Sequence, residues 1–452
     1  MKEIIHIYHT NDLHSHFEHW SRIRDFLQKR KAWHGNEGED VFLFDIGDHV
    51  DRWHPYTEAT LGKGNVGLLN EAGYDAVTIG NNEGITLDYG DLNTLYQKAE
   101  FQVIVGNLLN REKKIPDWLK THHIYETNSG LKVAVLGLTA HFFPFYRALG
   151  WNITPPLEEL KKQVEQVKSE ADIVVLLSHL GIRDDELIAE SFPEIDVILG
   201  AHTHHILHEG KEINGVMLGA AGKFGNYVGH VMIEVDPAAK NILSKKAQLY
   251  AHDDLPHSDR EEEEKLKWYK EGESMLGTEV ANLSQPLTAE WFKESPLPQL
   301  LSDALREWCK ADCSFLNAGL LIEGLNEGPV TKQDLHRILP HPINPCLIEL
   351  SGAELKEIIK QTHNEEWPHL QLKGLGFRGK IMGEFVYTDI AFEEDTQSMF
   401  IKGEAIHPQK TYKLAIPDMF TFGHFFPDLQ RLEKKYFMPE FLRDVLAWKL
   451  GQ

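Results

Sequence analysis

The sequence predicts an α/β fold in its first half and a smaller α+β domain in its second half. Short apolar segments with the character of strands alternate with amphipathic segments of helical spacing, a pattern typical of sheets covered by helices. Polar residues follow directly after several predicted strands, which is where open α/β sheets form their sites. The composition then changes near Ala251. A length of 452 residues fits this division, since a domain has about 150 residues.

Each predicted element of the first half rests on its own apolar pattern. Helical spacing places Ile23, Phe26 and Leu27 on one face of a helix over Trp20–Trp33. A second helix is predicted over Val66–Ala72. The predicted strands, in chain order, are Ile4–Tyr8, Val41–Phe44, Ala76–Ile79, Gln102–Val105, Lys132–Leu138, Ile173–Leu177, Val197–Leu199, Val216–Ala220 and Val228–Val235.

A charged segment separates the two halves. Ser258–Glu273 contains a run of glutamates from Glu261 to Glu264 and predicts an exposed helix. The predicted organisation is a first domain over residues 1–250, a charged helical linker over 251–290 and a C-terminal domain over 291–452. In the last of these, helices are predicted over Leu297–Lys310, Lys332–Ile338, Gly352–Gln361 and Pro439–Leu450, and strands over Ser314–Leu316 and Cys346–Leu350.

Charge and cysteine usage exclude several classes of function. The chain has 46 Lys and Arg against 69 Asp and Glu, a net charge of −23, so a general basic surface for nucleic acid or an anionic membrane is not expected. Cys309, Cys313 and Cys346 form no metal-binding or CxxC spacing, and free thiols fit a reducing compartment. The start of the sequence lacks the apolar stretch of a signal peptide, and no run has the roughly 18 apolar residues of a membrane span. We therefore expect a cytoplasmic protein.

Residues of metal-ligand type follow five of the predicted strands. Asp12 and His14 are two positions apart, so in an extended segment they point to the same side. A single pair such as Asp12 and His14 is also typical of a surface loop, and a single histidine at a strand end is also typical of a structural role. Together they predict two divalent ions that share Asp48, and the mixed nitrogen and oxygen donors suit Mn, Zn, Fe or Co better than Ca or Mg. The candidate ligands are Asp12, His14, Asp48, Asn81, His179, His202 and His204.

These segments, in this order, resemble the calcineurin-like metallophosphoesterases, and in particular their 5′-nucleotidase and UDP-sugar hydrolase branch. The resemblance covers nearly the whole chain. In the first half it is carried by Thr10–His16, Asp45–Asp48, Gly80–Glu83, Ser178–Gly181, Gly200–His204 and Gly222–Gly225. In the second half it is carried by Asn317–Gly319, Gly328–Thr331, Leu339–Pro340 and Glu349–Leu355.

The resemblance implies a four-layer αββα catalytic domain over 1–250 and a substrate-specificity domain over 291–452. One ion would be held by Asp12, His14, Asp48 and His204, and the other by Asp48, Asn81, His179 and His202. A hydroxide bridging the two ions would be the nucleophile, and the substrate would be a small, nucleotide-like phosphorylated molecule. The implied activity is hydrolysis of a phosphoester or phosphoanhydride.

One position of the family pattern differs in a way that bears on catalysis. Asn82 stands where the family has a histidine that stabilises the transition state and can protonate the leaving oxygen. Asparagine donates hydrogen bonds but no proton at neutral pH. Three interpretations stay open: a weakened site, a leaving group that needs little protonation, or a substitute histidine. The candidates for such a substitute are His49, His54 and His141. A weakened site would favour a protein that binds or senses a phosphorylated ligand.

The substrate contacts of the family are altered as well. The polar loop after Asp48 could bring Arg52 or His54 to the phosphoryl oxygens if it folds over the ions. In the second half, Asn317 is not followed by the family's arginine, and His341 replaces the expected phenylalanine segment. Phe425 and Phe426 are candidates for stacking on a base, with core packing as the alternative. The candidate substrate-binding residues are therefore Asn317, His341, Phe425 and Phe426.

Overall fold

Short, nearly continuous apolar runs in the first half of the chain form two sheets that pack face to face. The structure is a computed structural model that describes residues 2–393 and 398–452, and the chain splits into the units Met1–Gly272 and Glu273–Gln452. The strands of the first unit are β1 (Glu3–Thr10), β2 (Asp40–Asp45), β3 (Ala76–Val77), β4 (Gln102–Val103), β5 (Leu108–Leu109), β6 (His122–Glu126), β7 (Lys132–Thr139), β8 (Asn152–Ile153), β9 (Ile173–His179), β10 (Val197–Gly200), β11 (Lys211–Ile213), β12 (Val216–Gly219), β13 (Tyr227–Asp236) and β14 (Asn241–Ala251).

The helices cover the outer faces of these sheets. They are α1 (Trp20–Asn36), α2 (Pro55–Thr60), α3 (Lys63–Ala72), α4 (Asn81–Thr86), α5 (Tyr89–Leu95), α6 (Phe143–Leu149), α7 (Pro156–Val167), α8 (Ile182–Ser191) and α9 (Glu261–Met275). The predicted helix over Trp20–Trp33 is α1, which continues to Asn36 and buries Ile23 and Leu27 completely.

The strand order places the carboxyl ends of parallel strands at one edge of each sheet. The first sheet has the order β14-β13-β1-β2-β3-β4, in which β1, β2, β3 and β4 run parallel to one another. The second sheet has the order β11-β12-β10-β9-β7-β6, in which β7, β9, β10 and β12 are parallel. Residues that follow β1, β2 and β3, or β9 and β10, are therefore brought together.

The core confirms the four-layer αββα arrangement. Between the sheets, Ile7 and Phe44 of the first sheet share one apolar cluster with Val135 and Val175 of the second. On the outer face of the second sheet, α7 and α8 contribute to a separate cluster, to which α7 supplies Leu160. Helix α1 packs on β2 of the first sheet. Apolar side chains on both faces of each sheet are what a sheet covered by helices on one side and by a second sheet on the other requires.

The start of α9 is attached to the first unit, in contrast to the expectation of a fully exposed charged helix. Arg24 of α1 is 1% exposed and donates from Nη1 to Glu264 at 2.9 Å. Trp268 is buried against Phe17, with ring centroids 5.5 Å apart. A buried arginine requires such a partner, since an unpaired charge in the interior is strongly destabilising. The boundary between the units falls at Gly272, within the segment predicted as a linker.

The second unit contains a mixed sheet with its own core. Its helices are α10 (Pro296–Cys309), α11 (Lys332–Ile338), α12 (Gly352–Gln361) and α13 (Leu442–Leu450). Its strands are β15 (Glu279–Leu283), β16 (Cys313–Asn317), β17 (Gly328–Thr331), β18 (Pro345–Ser351), β19 (Phe385–Thr388), β20 (Ile390–Phe392), β21 (Met399–Ile401), β22 (Glu404–Ala405), β23 (Thr411–Pro417) and β24 (Lys434–Tyr436). The largest of its sheets has the order β19-β16-β23-β18-β24. This is the α+β organisation expected for the second half.

Short 3-10 helices complete the described chain at His252–Asp254, Ala318–Leu320, Trp367–His369, Asp418–Phe422 and Pro427–Arg431. A search of the described helices for a segment long and apolar enough to cross a membrane found none.

Candidate metal centre

The predicted ligands lie at the carboxyl edges of the two sheets of the first unit. Asp12 and Asp48 follow the parallel strands β1 and β2, whose register pairs Thr10 with Asp45. His179 is the last residue of β9, and His202 follows the parallel neighbour β10. Asn81 begins α4 directly after β3, and His14 and His204 follow Asp12 and His202 by two residues. Both sheets thus contribute to one polar cluster.

An unusual backbone conformation marks this cluster. The φ angles of Asp12, His14, Asp48, His202 and His204 are 51°, 49°, 51°, 71° and 57°, all in the left-handed region. Residues other than glycine are uncommon there, and such strained conformations concentrate at functional sites. Five of the seven predicted ligands adopt this conformation, so the surrounding fold must hold them against their local preference.

Two glycines allow the ligand loops to approach closely. A Cβ atom on Gly47 would lie 2.3 Å from the backbone nitrogen of Gly80, and φ of Gly47 is 83°. A Cβ atom on Gly80 would lie 2.0 Å from Oδ1 of Asp48 and 2.5 Å from Cε1 of His179. Any side chain at either position would push the loops after β2 and β3 apart.

Two groups of ligand atoms converge at this edge. The atoms of Asp12, His14 and His204 lie within 4.8 Å of one another, as do those of Asp12, Asp48 and His179. Nε2 of His204 is 3.4 Å from Oδ1 of Asp12. Oδ2 of Asp48 is 3.7 Å from Nε2 of His14 and 3.5 Å from Nε2 of His179. Asp12 belongs to both groups, and Asp48 faces one histidine of each, so both carboxylates lie where two ions could share a ligand.

The cluster fits a pair of cations because two of its buried ligand atoms have no hydrogen-bond partner and others face one another. Nε2 of His179 and Oδ1 of Asn81 are buried and have no hydrogen-bond partner among the described residues. Nε2 of His14 and Nε2 of His204 face each other at 3.3 Å. Buried polar atoms without partners are costly, and lone pairs that converge in this way are what divalent metal ions with nitrogen and oxygen ligands use. His202 lies beside them, with its ring 5.3 Å from that of His179.

Electrostatics at the cluster also favour a cation. Burial would raise the pKa of Asp48, but His179 and His14 hold the pKa of its carboxyl below the ordinary value. Burial would lower the pKa of His179, but the charge of Asp48 raises it to about 10. Burial lowers the pKa of His202 to about 4. The carboxylate of Asp48 is therefore ionised at neutral pH and attracts positive charge. The protonated ring of His179 supplies that charge, and a bound metal ion would replace its proton.

Hydrogen bonds behind the ligands fix the orientation of their rings. Nδ1 of His14 donates to Oδ2 of Asp51 at 3.0 Å, which leaves Nε2 toward His204 and Asp48. Nδ1 of His179 donates to the backbone oxygen of Ile46 at 2.6 Å, which leaves Nε2 toward Asp48. Such outer partners set the tautomer of a metal-binding histidine and increase its basicity.

Glu83 holds the loops that present Asp48. Its buried carboxylate accepts hydrogen bonds from the backbone N–H groups of Asp48, Val50 and Gly80 at 2.9, 2.9 and 2.8 Å. Burial, with the charge of Asp48 second, raises its pKa to about 7. One side chain thereby ties the turn after β2 to the start of α4.

Asp51 is a positioning residue that the sequence patterns did not identify, and its replacement provides a test. We expect Asp51→Asn to weaken Mn²⁺ binding by about 10- to 100-fold, because His14 loses the carboxylate that orients its ring. At saturating Mn²⁺ the catalytic rate should largely recover, which distinguishes a positioning defect from a damaged site. The measurement is Mn²⁺ titration by calorimetry and by activity, with Asp117→Asn, an exposed position, as the matched control. Unchanged Mn²⁺ affinity in a folded variant would contradict this role.

Asn82 lies inside the cluster, as its place in the sequence predicted. Its backbone N–H donates to Oδ1 of Asp48 at 2.7 Å, and its Nδ2 is 2.8 Å from Nδ1 of His14. The side chain is 6% exposed. Residue 82, which is a histidine in the family that this sequence resembles, is therefore adjacent to both groups of ligand atoms.

The candidates in the loop after Asp48 have other roles. Arg52 donates to Glu58 from Nε and Nη2 at 2.7 and 3.0 Å and to the backbone oxygen of Thr86, so its guanidinium is held away from a substrate contact. His49 is buried edge-on against Trp20, and burial lowers its pKa to about 3, which removes it as a proton donor at neutral pH.

Of the other two histidines considered as substitutes for the family's catalytic histidine, one has a structural role and the other is exposed. His54 caps α2 by accepting the backbone N–H of Tyr56, and its ring packs on Phe17 at 4.7 Å. His141 is exposed and lies at a cavity that is also lined by His202. Of the three candidates, His141 is the one that lines this cavity beside the predicted ligand His202.

The structure places the candidate substrate-binding residues of the second unit in its interior. Phe426 is fully buried among Phe315, Phe420 and Trp367. Phe425 is 6% exposed and packs on Trp367, with its ring 5.4 Å away. Their aromatic surfaces are already covered by neighbouring rings, which is the packing alternative that the sequence left open.

Both polar candidates of the second unit connect backbone segments. Nε2 of His341 donates to the backbone oxygen of Leu320 at 2.7 Å, and its Nδ1 accepts the N–H of Arg378 at 2.8 Å. Asn317 is fully buried and donates to the backbone oxygen of Met382 at 2.7 Å. Both side chains hold loops together within the second unit, so neither is available to a substrate.

Comparison with known proteins agrees with this architecture. Residues 5–205 match the calcineurin-like phosphoesterase family, and residues 277–425 match the 5′-nucleotidase C-terminal domain. An uncharacterized metallophosphoesterase of Bacillus subtilis, YunD, is 48% identical over 462 residues and is covered completely, as is this chain. A snake venom 5′-nucleotidase of Gloydius brevicauda is 22% identical, with 92% of this chain and 81% of that protein covered.

Solved structures share the fold along the whole chain. The NAD nucleotidase of Haemophilus influenzae superimposes with a TM-score of 0.68 at 14% identity and covers 100% of this chain and 96% of that one. A 5′-nucleotidase precursor of Thermus thermophilus superimposes with a TM-score of 0.61 at 18% identity and covers 99% and 96%. With an N-terminal calcineurin-like domain and a C-terminal 5′-nucleotidase domain, the chain belongs to the calcineurin-like metallophosphoesterases, a family of enzymes that hydrolyse phosphoesters.

Proposed function

We propose that this protein hydrolyses a phosphoester or phosphoanhydride of a small, nucleotide-like molecule at the cluster on the carboxyl edges of the two sheets of its first unit. The observation that carries the proposal is the convergence of ligand atoms from Asp12, Asp48, His14, His179 and His204. Beside them, the buried Nε2 of His179 and Oδ1 of Asn81 have no hydrogen-bond partner among the described residues. Asn81 and His202 would complete the two ligand sets. The nucleotide-like substrate is supported by the match to the 5′-nucleotidase C-terminal domain over residues 277–425.

The proposed chemistry assigns separate tasks to the ions and to the chain. Bound divalent ions supply charge stabilisation for in-line displacement at phosphorus and lower the pKa of water. The fold supplies geometry: Asp51 and the backbone oxygen of Ile46 orient His14 and His179, and Glu83 holds the loop of Asp48. Preorganised charges of this kind need no rearrangement during the reaction.

Asn82 restricts the leaving groups that the enzyme can release well. Its amide can donate a hydrogen bond to a phosphoryl oxygen but cannot donate a proton. A group that leaves as a stable anion, such as an aryl oxide or a phosphate, needs little protonation. We therefore propose that aryl phosphates or phosphoanhydrides are better substrates than alkyl phosphates.

Metal removal and reloading test the proposed function. Protein stripped with a chelator should lose hydrolysis of bis(p-nitrophenyl) phosphate and regain it with Mn²⁺, because the p-nitrophenolate leaves without protonation. The Asp48→Ala variant, treated identically, reports any contaminating phosphatase. Absence of turnover in protein with bound Mn²⁺ would contradict catalysis and favour the alternative of a protein that binds or senses a phosphorylated ligand.

A further inference from the structure

A cavity of about 610 Å³ opens beside the predicted metal ligands, within the first unit. It is formed by the loop after β7, the start of α7 and the segment after β9, and His202 is part of its lining. The ring of Phe142 meets that of His202 edge-on, with centroids 5.7 Å apart. A group in this cavity would therefore be next to one of the proposed ligands while lying outside the ligand cluster itself.

Six of the ten described lining residues of the cavity are apolar. Phe142 from the loop after β7, Pro156 and Leu157 from α7, and the buried Leu180 contribute to its walls. Apolar and aromatic walls with a few polar groups are typical of pockets for organic ligands. A chain of hydrated phosphates would gain little from contact with these side chains, because it would lose water without gaining hydrogen bonds.

The charges at the cavity are negative. Glu158 at the start of α7 and Asp184 at the start of α8 are exposed lining residues. The described lining contains neither lysine nor arginine. A second phosphate or a carboxylate placed there would meet charges of its own sign, whereas a cationic or hydrogen-bond-donating end would be attracted.

We propose that this cavity receives the leaving group of the substrate, and that it selects an apolar, preferably aromatic group that is uncharged or cationic at its outer end. This inference rests on the proposed function, and of the two kinds of leaving group favoured there it selects an aryl oxide over a phosphate. In the reaction, the P–O bond to the leaving group breaks and a P–O bond to water forms. The leaving oxygen takes its proton from solvent, so that one phosphate ester and one water give a phenol or alcohol and inorganic phosphate.

The substrate test compares two aryl phosphates that differ in the charge of the para substituent. The Mn²⁺-loaded protein should hydrolyse 4-(aminomethyl)phenyl phosphate with a kcat/KM about tenfold higher than that for 4-carboxyphenyl phosphate. Glu158→Lys should lower the ratio of these two kcat/KM values, aminomethyl over carboxy substrate, by about tenfold. Its matched control is Glu165→Lys, an exposed position on the same helix that makes the same change in charge. The control should leave the ratio unchanged.

A second pair of variants tests the apolar wall. Phe142→Ala should lower kcat/KM for both aryl phosphates by about tenfold, the scale of losing substantial apolar contact in a pocket. Phe143→Ala is the matched control, because Phe143 is the next residue, is 46% exposed and is not among the lining residues. The control variant should behave as the unmodified protein does.

The outcomes separate this inference from the function on which it rests. Hydrolysis of neither aryl phosphate by Mn²⁺-loaded protein would overturn the proposed function. Hydrolysis with equal kcat/KM for the two substrates, unaffected by Glu158→Lys and Phe142→Ala, would overturn the cavity assignment and leave the function standing. A charge preference that Glu158→Lys abolishes and Glu165→Lys leaves unchanged would support both.

Discussion

Replacing Asp48 with alanine is expected to lower Mn²⁺-dependent hydrolysis of bis(p-nitrophenyl) phosphate by about 10³-fold or more. Oδ2 of Asp48 lies 3.7 Å from Nε2 of His14 and 3.5 Å from Nε2 of His179, so the substitution removes a charge that faces both groups of ligand atoms. Groups that act as a unit show losses of this size when one member is removed.

The same substitution should change metal content as well as rate. Oδ1 of Asp48 accepts the backbone N–H of Asn82, so alanine also loosens the start of α4, where Asn81 lies. Metal analysis after gel filtration should show about two Mn²⁺ ions per chain in the unmodified protein and fewer in Asp48→Ala. Asp117→Ala at an exposed position is the matched control. A folded Asp48→Ala protein with unchanged metal content and more than a tenth of the activity would contradict the shared role.

Replacing Asn82 with histidine is expected to raise hydrolysis of alkyl phosphates by about 10²- to 10⁴-fold, the usual contribution of a general acid. Asn82 contacts Asp48 and His14, so an imidazole at this position would stand at the edge of both ligand groups. Hydrolysis of bis(p-nitrophenyl) phosphate should change by less than about tenfold, since that leaving group needs no proton. The measurement is kcat for a nucleoside 5′-monophosphate and for the aryl diester, side by side.

Asn82→Gln is the control for the change in size, because glutamine has a longer side chain but no proton to transfer. It should not raise hydrolysis of the alkyl phosphate. The contrary outcome is a folded, Mn²⁺-loaded Asn82→His protein that hydrolyses the alkyl phosphate no faster than the unmodified protein. In that case protonation by residue 82 does not limit the rate. His141, at the rim of the cavity beside His202, would then be the next residue to replace.

Much of the site could be predicted from the sequence because its signals are local. A ligand that follows an apolar strand lies at the carboxyl edge of a sheet whatever the rest of the chain does, and this applies to Asp12, Asp48 and His179. The alternation of strands and helices likewise predicted the α/β layers, since each short segment carries its own periodicity. The motif around Gly80 located Asn82 beside the cluster for the same reason.

The roles of the remaining candidates depend on neighbours that are distant in sequence. Arg52 binds Thr86, 34 residues away, and Phe426 is covered by Phe315. A sequence pattern shows that a side chain is polar or aromatic, but not which other segment will cover it. For that reason the sequence could not show that Phe426 packs in a core or that His341 bonds to the backbone of Leu320.

The sequence by itself therefore determined the family, the layered fold and the group of residues that we propose as ligands of two metal ions. Only the tertiary structure decided how those residues are oriented. The bond from His14 to Asp51 spans 37 residues, and the three backbone N–H groups held by Glu83 belong to two separate loops. Hydrogen bonds of this kind depend on the packing of the whole domain, because each requires two segments to be placed to within a few tenths of an ångström.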